Sequence, residues 1–378
     1  MTQSNRYNLK QIIIHVPKEL SHSSYLITSI QEFSETKQIP LIYKLNPFFS
    51  NVRIKVSGGE LEKTNHTYPK VVFVRLDFID NSYQLSAFDF HDSNTSFSKE
   101  GLEKADFYFK RTYTEKEVNF ISKKYLKRVY PMGIPFMLRP NKVFQNNRLK
   151  KLHLEQLVRT KFKINRNLFR NIIKALNQHK TIWQGFIQTR KLLDFETQAQ
   201  AKNATHIFYQ KRFFPNEIIE DTRLVHEQRI AIVRLLKQNF EKYFFGGIKA
   251  DKNLPKKYKN TASSIEGNQN QFLKAMQDCG ICIYTRGLGN SIGWSLPEFM
   301  SQGKAIIAER QEVIFPQPLI HGKHLLYFDT FEELKDLIQQ LIDQPELVRQ
   351  LSKASRSYYD EFISPKIFFE NILIQINA

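Results

Sequence analysis

From residue 204 onward, short apolar runs alternate with helix-like segments, and this alternation constrains the fold more than any other feature of the chain. Ile207 to Tyr209, Tyr243 to Phe245, Ile281 to Tyr284, Ala305 to Ala308 and Leu325 to Phe328 read as strands, because they are compact, apolar and lack a 3.6-residue period. Arg223 to Asn239, Asn270 to Asp278, Leu296 to Ser301, Phe331 to Ile342, Pro345 to Phe362 and Pro365 to Ile376 read as helices. Strand–helix alternation argues for a parallel sheet, since parallel neighbours need a crossover connection, usually a helix. The expectation for this half is a doubly wound α/β sheet.

The first part shows a similar alternation. Ile12 to Val16, Pro40 to Leu45, Val71 to Leu76, Phe107 to Phe109 and Arg128 to Phe136 are its strand candidates, with Ser24 to Thr36 and Glu115 to Lys127 as helices. The length of 378 residues exceeds what one hydrophobic core usually serves. Two α/β domains are therefore expected. Between them the composition changes: residues 142–191 hold thirteen Lys or Arg and one acid, Glu155. Part of this stretch is helical, with Leu168, Phe169, Ile172, Ile173 and Leu176 on one face and Arg166, Arg170 and Lys174 along its flank. The expected division is a first α/β domain at 1–141, a basic helical insertion at 142–203, a second α/β domain at 204–363, and a last helix at 364–378 crossing back to the first domain.

The net charge of +19 favours an anionic partner: a phosphorylated substrate, an acidic membrane surface or nucleic acid. Nucleic acid is not the expected partner, because the charge is concentrated in one segment and no DNA- or RNA-binding motif accompanies it. Residues 142–191 read as a solvated surface, as a dock for an anionic membrane, which suits the cation-flanked apolar helix, or as a site for a phosphorylated or acidic glycan acceptor. The apolar run of the N-terminus is too short for a signal peptide, and none approaches the roughly 18 residues of a spanning helix. A cytoplasmic location, peripheral on the inner face of the plasma membrane, is the expectation. The only cysteines, Cys279 and Cys282, form a C-x-x-C inside an apolar run. They lack a second pair for a zinc site and read as buried core residues.

The densest chemistry lies in Ile283 to Glu309, a strand, a glycine-containing loop, a helix and a second strand. Gly287, Gly289 and Gly293 permit tight turns and close approach of a ligand to the backbone. A helix start favours a phosphate by roughly 0.3–2 kcal/mol through its dipole. Glu298 falls in the first turn of that helix, where a carboxylate either complements the dipole or accepts the hydroxyls of a ribose.

The string NSIGWSLPEFMSQGKAII, Asn290 to Ile307, resembles the E-G-F-G-L-P-x-x-E-A-M-x-x-G-x-P-V-I motif of group 1, family 4-like glycosyltransferases. Gly293, Glu298, Met300, Gly303 and the Ile306–Ile307 strand match it, and GKHLLYF and the Asp343–Leu347 turn are similar to segments that follow it in that family. The likeness spans roughly Thr205 to Ala378. It implies a GT-B fold, two Rossmann-like domains facing a cleft, and transfer of a sugar from a nucleotide-sugar donor to a glycan or lipid-linked acceptor, as in cell-surface polysaccharide synthesis. It implies no bound metal or other cofactor. It places Glu298 on the donor ribose and Lys211 and Arg212 near the diphosphate. Gly289, Asn290, Ser291, Gly293 and Trp294 fall along the helix start, and Gly246, Gly247 and Lys249 at another strand end beside the donor. Asn290 and Ser291 depart from the motif, which has Glu and Gly there, and Asn290 leaves open a non-catalytic glycan-binding module of the same fold. A general base, if transfer inverts the sugar, would come from Asp89, His91 or Asp92 in FDFHDS, with Asp77 and His22 as further strand-end candidates.

Overall fold

The structure, a computed structural model, describes residues 7–48, 52–57, 59–141, 146–161, 168–197, 201–214, 219–252, 254–265 and 269–377. Arg166 and Lys142 lie outside them. The chain divides into two compact units, one of residues 1–194, 313–317 and 362–378, the other of residues 195–312 and 318–361.

The first unit runs β1 (Leu9–His15), α1 (Ser24–Lys37), β2 (Leu41–Lys44), β3 (Val52–Ser57), β4 (Glu60–Thr67), β5 (Val71–Phe78), β6 (Tyr83–Asp89), β7 (Ser96–Ser98), α2 (Lys99–Lys104), β8 (Phe107–Lys110), α3 (Glu115–Tyr125) and β9 (Val129–Pro131). Six strands form one sheet in the order β2-β1-β5-β6-β8-β9, and β3, β4 and β7 form a second, small antiparallel sheet. Only β5 opposes its neighbours in the main sheet. The reversal is local: Asn81 adopts φ 67°, a left-handed turn that asparagine tolerates, and returns the chain as a β5–β6 hairpin. The expected strand at Arg128 to Phe136 is cut to Val129–Pro131, and the chain then leaves the sheet.

α4 (Asn146–Lys161) and α5 (Leu168–Gln188) form a hairpin that belongs to the first unit rather than a separate element between two domains. Asn46 N–H donates to Gln156 Oε1 at 3.0 Å, which ties α4 to the end of β2. Ala175, His179, Trp183 and Phe186 form the buried face of α5; of the apolar face expected from Leu168, Phe169, Ile172, Ile173 and Leu176, Leu168 and Ile172 are half-buried while Phe169, Ile173 and Leu176 stay exposed. A short α6 (Leu192–Glu196) closes the segment.

The second unit is one sheet of five parallel strands: β10 (Asn203–Lys211), β11 (Phe244–Ile248), β12 (Cys279–Tyr284), β13 (Ala305–Glu309) and β14 (Leu326–Phe328). α7 (Glu220–Asn239), α8 (Gln269–Asp278), α9 (Ser295–Ser301), α10 (Phe331–Asp343) and α11 (Pro345–Tyr358) supply its crossovers and cover. β12 is buried along its whole length, and Cys279 and Cys282 are free thiols within it. Burial pushes the Cys279 thiol up to about 12, which keeps it protonated and inert. α12 (Pro365–Asn377) lies in the first unit against α1, where Ser29 Oγ donates to Pro365 O at 2.6 Å and Phe33 meets Phe369 edge-on at 5.3 Å.

The edge strand β11 depends on Gly246 and Gly247, at φ 128° and 130°. A Cβ on Gly246 would lie 2.1 Å from the Tyr209 carbonyl oxygen. Gly246→Ala should therefore destabilise the second unit by about 1–3 kcal/mol or more, read as a lower urea midpoint. An unchanged midpoint would show that β11 does not need a glycine there.

Candidate functional site

The strand order β11-β10-β12-β13-β14 is 2-1-3-4-5 in chain order. Such a sheet winds outward in two directions from its first strand, so the connections leaving the carboxyl ends of β10 and β12 diverge. The gap between them is where an open α/β sheet accepts a ligand. The residues there are Lys211 and Arg212 after β10, and Thr285, Arg286 and Gly287 after β12.

Lys211 is the central group. Its Nζ donates to the Thr285 carbonyl and lies by Ser295 Oγ, both at 3.4 Å, long contacts that leave room for a better acceptor. It sits 5.2 Å from the Tyr284 ring centre and 5.6 Å from that of Tyr209. Burial, aided by the charge of Arg229, pushes the Lys211 ammonium down to about 7, against the pull of Glu309 and Glu298. Arg229 is itself buried and donates to the Arg212 carbonyl at 2.6 Å. Arg212 is exposed, with its guanidinium 5.3 Å from the Phe214 ring centre.

The glycine loop is held from three sides. Asp221, in the first turn of α7, accepts from Arg286 Nη1 at 2.6 Å and from Gly289 N–H at 2.8 Å. Glu309, at the end of β13, accepts from Arg286 N–H at 2.7 Å. Gly293 N–H donates to Tyr284 Oη at 2.7 Å, and Gly287 N–H to the Ser291 carbonyl at 2.8 Å. Ser291 N–H donates to the Leu288 carbonyl at 3.2 Å, and Gly289 and Asn290 both have left-handed backbones, at φ 63° and 55°. Five amides of the loop, those of Arg286, Gly287, Gly289, Ser291 and Gly293, are thus already committed within the protein, and α9 has only seven residues. Any anion bound here depends on the side chains of Lys211, Arg212 and Arg286 more than on the loop backbone or a helix dipole. Asp221, Arg229, Arg286 and Glu309 did not emerge from the sequence motif. Arg286 and Glu309, each within two residues of the end of an expected strand, carried a positional signal.

Glu298 lies in the first turn of α9, half-buried, within electrostatic reach of Lys211. Trp294 is the residue before that helix and is also half-buried. Lys249 N–H bonds the Lys211 carbonyl at 2.7 Å, while its ammonium lies 4.0 Å from Asp251. Gly247 is explained by packing, since a Cβ there would stand 2.7 Å from the Thr261 carbonyl oxygen.

In the first unit, Asp89 is part of the core. Asp89 and Lys110 pair at 2.9 Å with both side chains fully buried. The same carboxylate accepts from Tyr108 at 2.5 Å and Tyr68 at 3.1 Å, and its other oxygen from His91 N–H at 2.9 Å. A carboxylate so enclosed does not reach a substrate hydroxyl. His91 stacks on Tyr68 with ring centres 4.1 Å apart, and burial lowers its pKa to about 4. Burial alone would raise Asp92, yet Arg111 at 2.6 Å and Lys70 at 3.0 Å outweigh it and hold the carboxyl at about 2. Asp92 remains 41% exposed. His22 pairs with Glu19 at 2.8 Å and Asp77 with Arg75 at 2.6 Å.

No family model matches the chain, and no curated protein does. Solved structures similar to it include the C-terminal domain of the glycosyl transferase group 1 family protein LpcC from Francisella tularensis, at 14% identity over 44% of this chain and 96% of that one, with a TM-score of 0.32. Anabaena HepE in complex with UDP-glucose is similar at 10% identity over 72% and 79% of the two chains, with a TM-score of 0.34. TarM is similar at 11% identity over 97% and 98%, with a TM-score of 0.40. Likenesses this weak transfer no residue roles.

Removing Lys110 would leave the Asp89 charge buried without its partner. Lys110→Met should cost about 3–5 kcal/mol in urea unfolding, and adding Asp89→Asn should recover much of that loss. A loss for the single variant below about 1 kcal/mol would mean that the pair is not the anchor of this unit.

Proposed function

We propose that the chain transfers a glycosyl group from a nucleoside-diphosphate sugar to a hydroxyl of a glycan or lipid-linked acceptor, with the donor bound at the carboxyl ends of β10 and β12. The observation that carries this reading is Lys211, a cation at the switch point of a parallel sheet that no described carboxylate pairs with at contact distance. Diphosphate oxygens would replace its long contacts, and Arg212 and Arg286 would add positive charge as the diphosphate departs. Glu298 would hold the ribose hydroxyls, and Trp294, Ser291 and Gly293 would line the approach. The resemblance of Asn290 to Ile307 to a donor-binding motif supports the same assignment. It also supports a place in cell-surface polysaccharide assembly on the cytoplasmic side of a membrane.

Activation of the acceptor would fall to His91 or Asp92. His91, neutral above a pH of about 4, retains a lone pair to accept a proton at neutral pH. A non-catalytic, glycan-binding role is the second reading, favoured by Asn290 in place of a motif glutamate.

Calorimetry against a panel of nucleotide sugars tests the donor assignment. Glu298→Ala should weaken binding of the preferred donor by about 10- to 100-fold, the equivalent of one or two hydrogen bonds to a charged group, with the unfolding midpoint unchanged. Unchanged affinity would remove Glu298 from the site. Binding without turnover against any acceptor would favour the non-catalytic module.

A second measurement follows from Lys211. At a pH of about 8 its amine is mostly neutral, and a bound diphosphate raises its pKa, so donor binding should take up nearly one proton. Binding enthalpies in two buffers of different ionisation enthalpy read that number. Lys211→Met should abolish the uptake and weaken binding; uptake that persists in the variant would assign the proton to another group.

A further inference from the structure

The α4–α5 hairpin has one apolar face too many for a helix pair packed on a single unit. The face of α5 built from Ala175, His179, Trp183 and Phe186 is buried. It is fixed by a 2.9 Å contact between His153 Nδ1 and His179 Nδ1, and Lys150 lies over the Trp183 ring. A different set of apolar side chains stays in solvent: Phe169 is 82% exposed, Ile173 56%, Leu176 45% and Ile187 43%. At 3.6 residues per turn these four fall within an arc of about 60°, along a stripe about 27 Å long. Arg170 and Lys174, both exposed, follow on the adjoining arc, and Lys180 interrupts the stripe.

Scattered exposed apolar residues are ordinary, whereas Phe169, Ile173 and Leu176 clustered on successive turns of one helix mark a surface made for contact. Its surroundings select the partner. The described part of the hairpin holds eight cations, Arg148, Lys150, Lys151, Arg159, Lys161, Arg170, Lys174 and Lys180, and a single acid, Glu155, which Arg159 pairs at 2.6 Å. A second copy of the chain would bring a like-charged face against this one. A nucleic acid would satisfy the cations and leave Phe169 and Ile173 uncovered. A bilayer bearing anionic headgroups satisfies both, with the apolar stripe at the acyl boundary and the flanking cations among the phosphates. No described helix is long and apolar enough to cross a membrane, so the contact would be superficial.

We propose that α5 docks the protein flat on an anionic lipid surface through Phe169, Ile173 and Leu176, with Arg170 and Lys174 contacting the headgroups. The surface involves no residue of the donor site, and its test is read without any nucleotide.

The full chain is floated with vesicles of phosphatidylcholine, either pure or containing roughly one-third phosphatidylglycerol. Binding should require the anionic lipid and weaken as salt rises above the physiological range. The double variant Phe169→Ser/Ile173→Ser should lower the partition coefficient at least about tenfold, and so should Arg170→Gln/Lys174→Gln. All four side chains are exposed, so unchanged far-ultraviolet circular dichroism and melting serve as the folding control. Three results would overturn the proposal: no binding to either vesicle, equal binding by the wild type and both variants, or a change confined to the oligomeric state in sedimentation. The last would assign the stripe to a second copy.

Discussion

A lysine held by neutral acceptors and aromatic faces, rather than by a carboxylate, is the constraint on which the switch point of the second sheet rests. The chain places two lysines at strand ends, and their contrast is informative. Lys110 ends β8 and meets Asp89 at 2.9 Å with both groups out of solvent. That pair is complete, because each charge has its counterion, Asp89 accepts further from Tyr68 and Tyr108, and Lys110 donates also to the Ser96 carbonyl at 2.8 Å. Lys211 ends β10, and its counter-charges Glu298 and Glu309 act on it without closing to contact. A pKa lowered to about 7 is the energetic sign of that incompleteness, since burial disfavours the charged form and the two acids only partly offset it. An anion arriving at Lys211 completes what Asp89 has already completed at Lys110.

The rest of the second unit follows from keeping that position open. Arg286, the other cation at the switch point, is turned toward Asp221 and Glu309. The same two acids hold the backbone at Gly289 and Arg286, so the loop shape and the orientation of the guanidinium are set together. The tight approach of β11 to β10, which only Gly246 permits, fixes the strand beside Lys211 and lets Lys249 bond its carbonyl. Loop, strand edge and helix start are rigid supports around a group that is not yet satisfied, an arrangement suited to binding with little reorganisation.

How far this was legible in the sequence depends on whether the deciding interaction was local. β10, β12 and β13 stood out because the buried part of a parallel strand reads as an apolar run, and the residues at the ends of such runs, Lys211 among them, could be placed at once. β4, with the sequence ELEKTNHT, has no apolar alternation and is a strand only because β3 pairs with it. The reversed β5 was hidden because its direction shows only in its antiparallel pairing with β1 and β6, not in its own residues. Asp89, conspicuous beside His91 and Asp92, was read as a reachable base when its partners Lys110, Tyr68 and Tyr108 were still distant in the chain. α5 failed most instructively: it carries two apolar faces, and periodicity cannot say which one the core takes.

The departure at Asn290 has a local physical account. Gly289 and Asn290 occupy consecutive left-handed positions, at φ 63° and 55°. Among side chains with a Cβ, asparagine visits this region more readily than glutamate, because its short amide can bond to nearby backbone. The Gly287–Ser291 turn requires that conformation, and Asp221 pins it through Gly289 N–H. The loop is therefore built around Asn290, and restoring the motif glutamate would strain the turn as well as add a carboxylate. The contact that the resembling motif makes with its donor sugar through that glutamate must here come from another group or be absent. Of the acids gathered at the switch point, Asp221 and Glu309 are committed to Arg286 and the loop. The proposed donor contacts therefore extend to side chains outside the motif, Lys211 first among them.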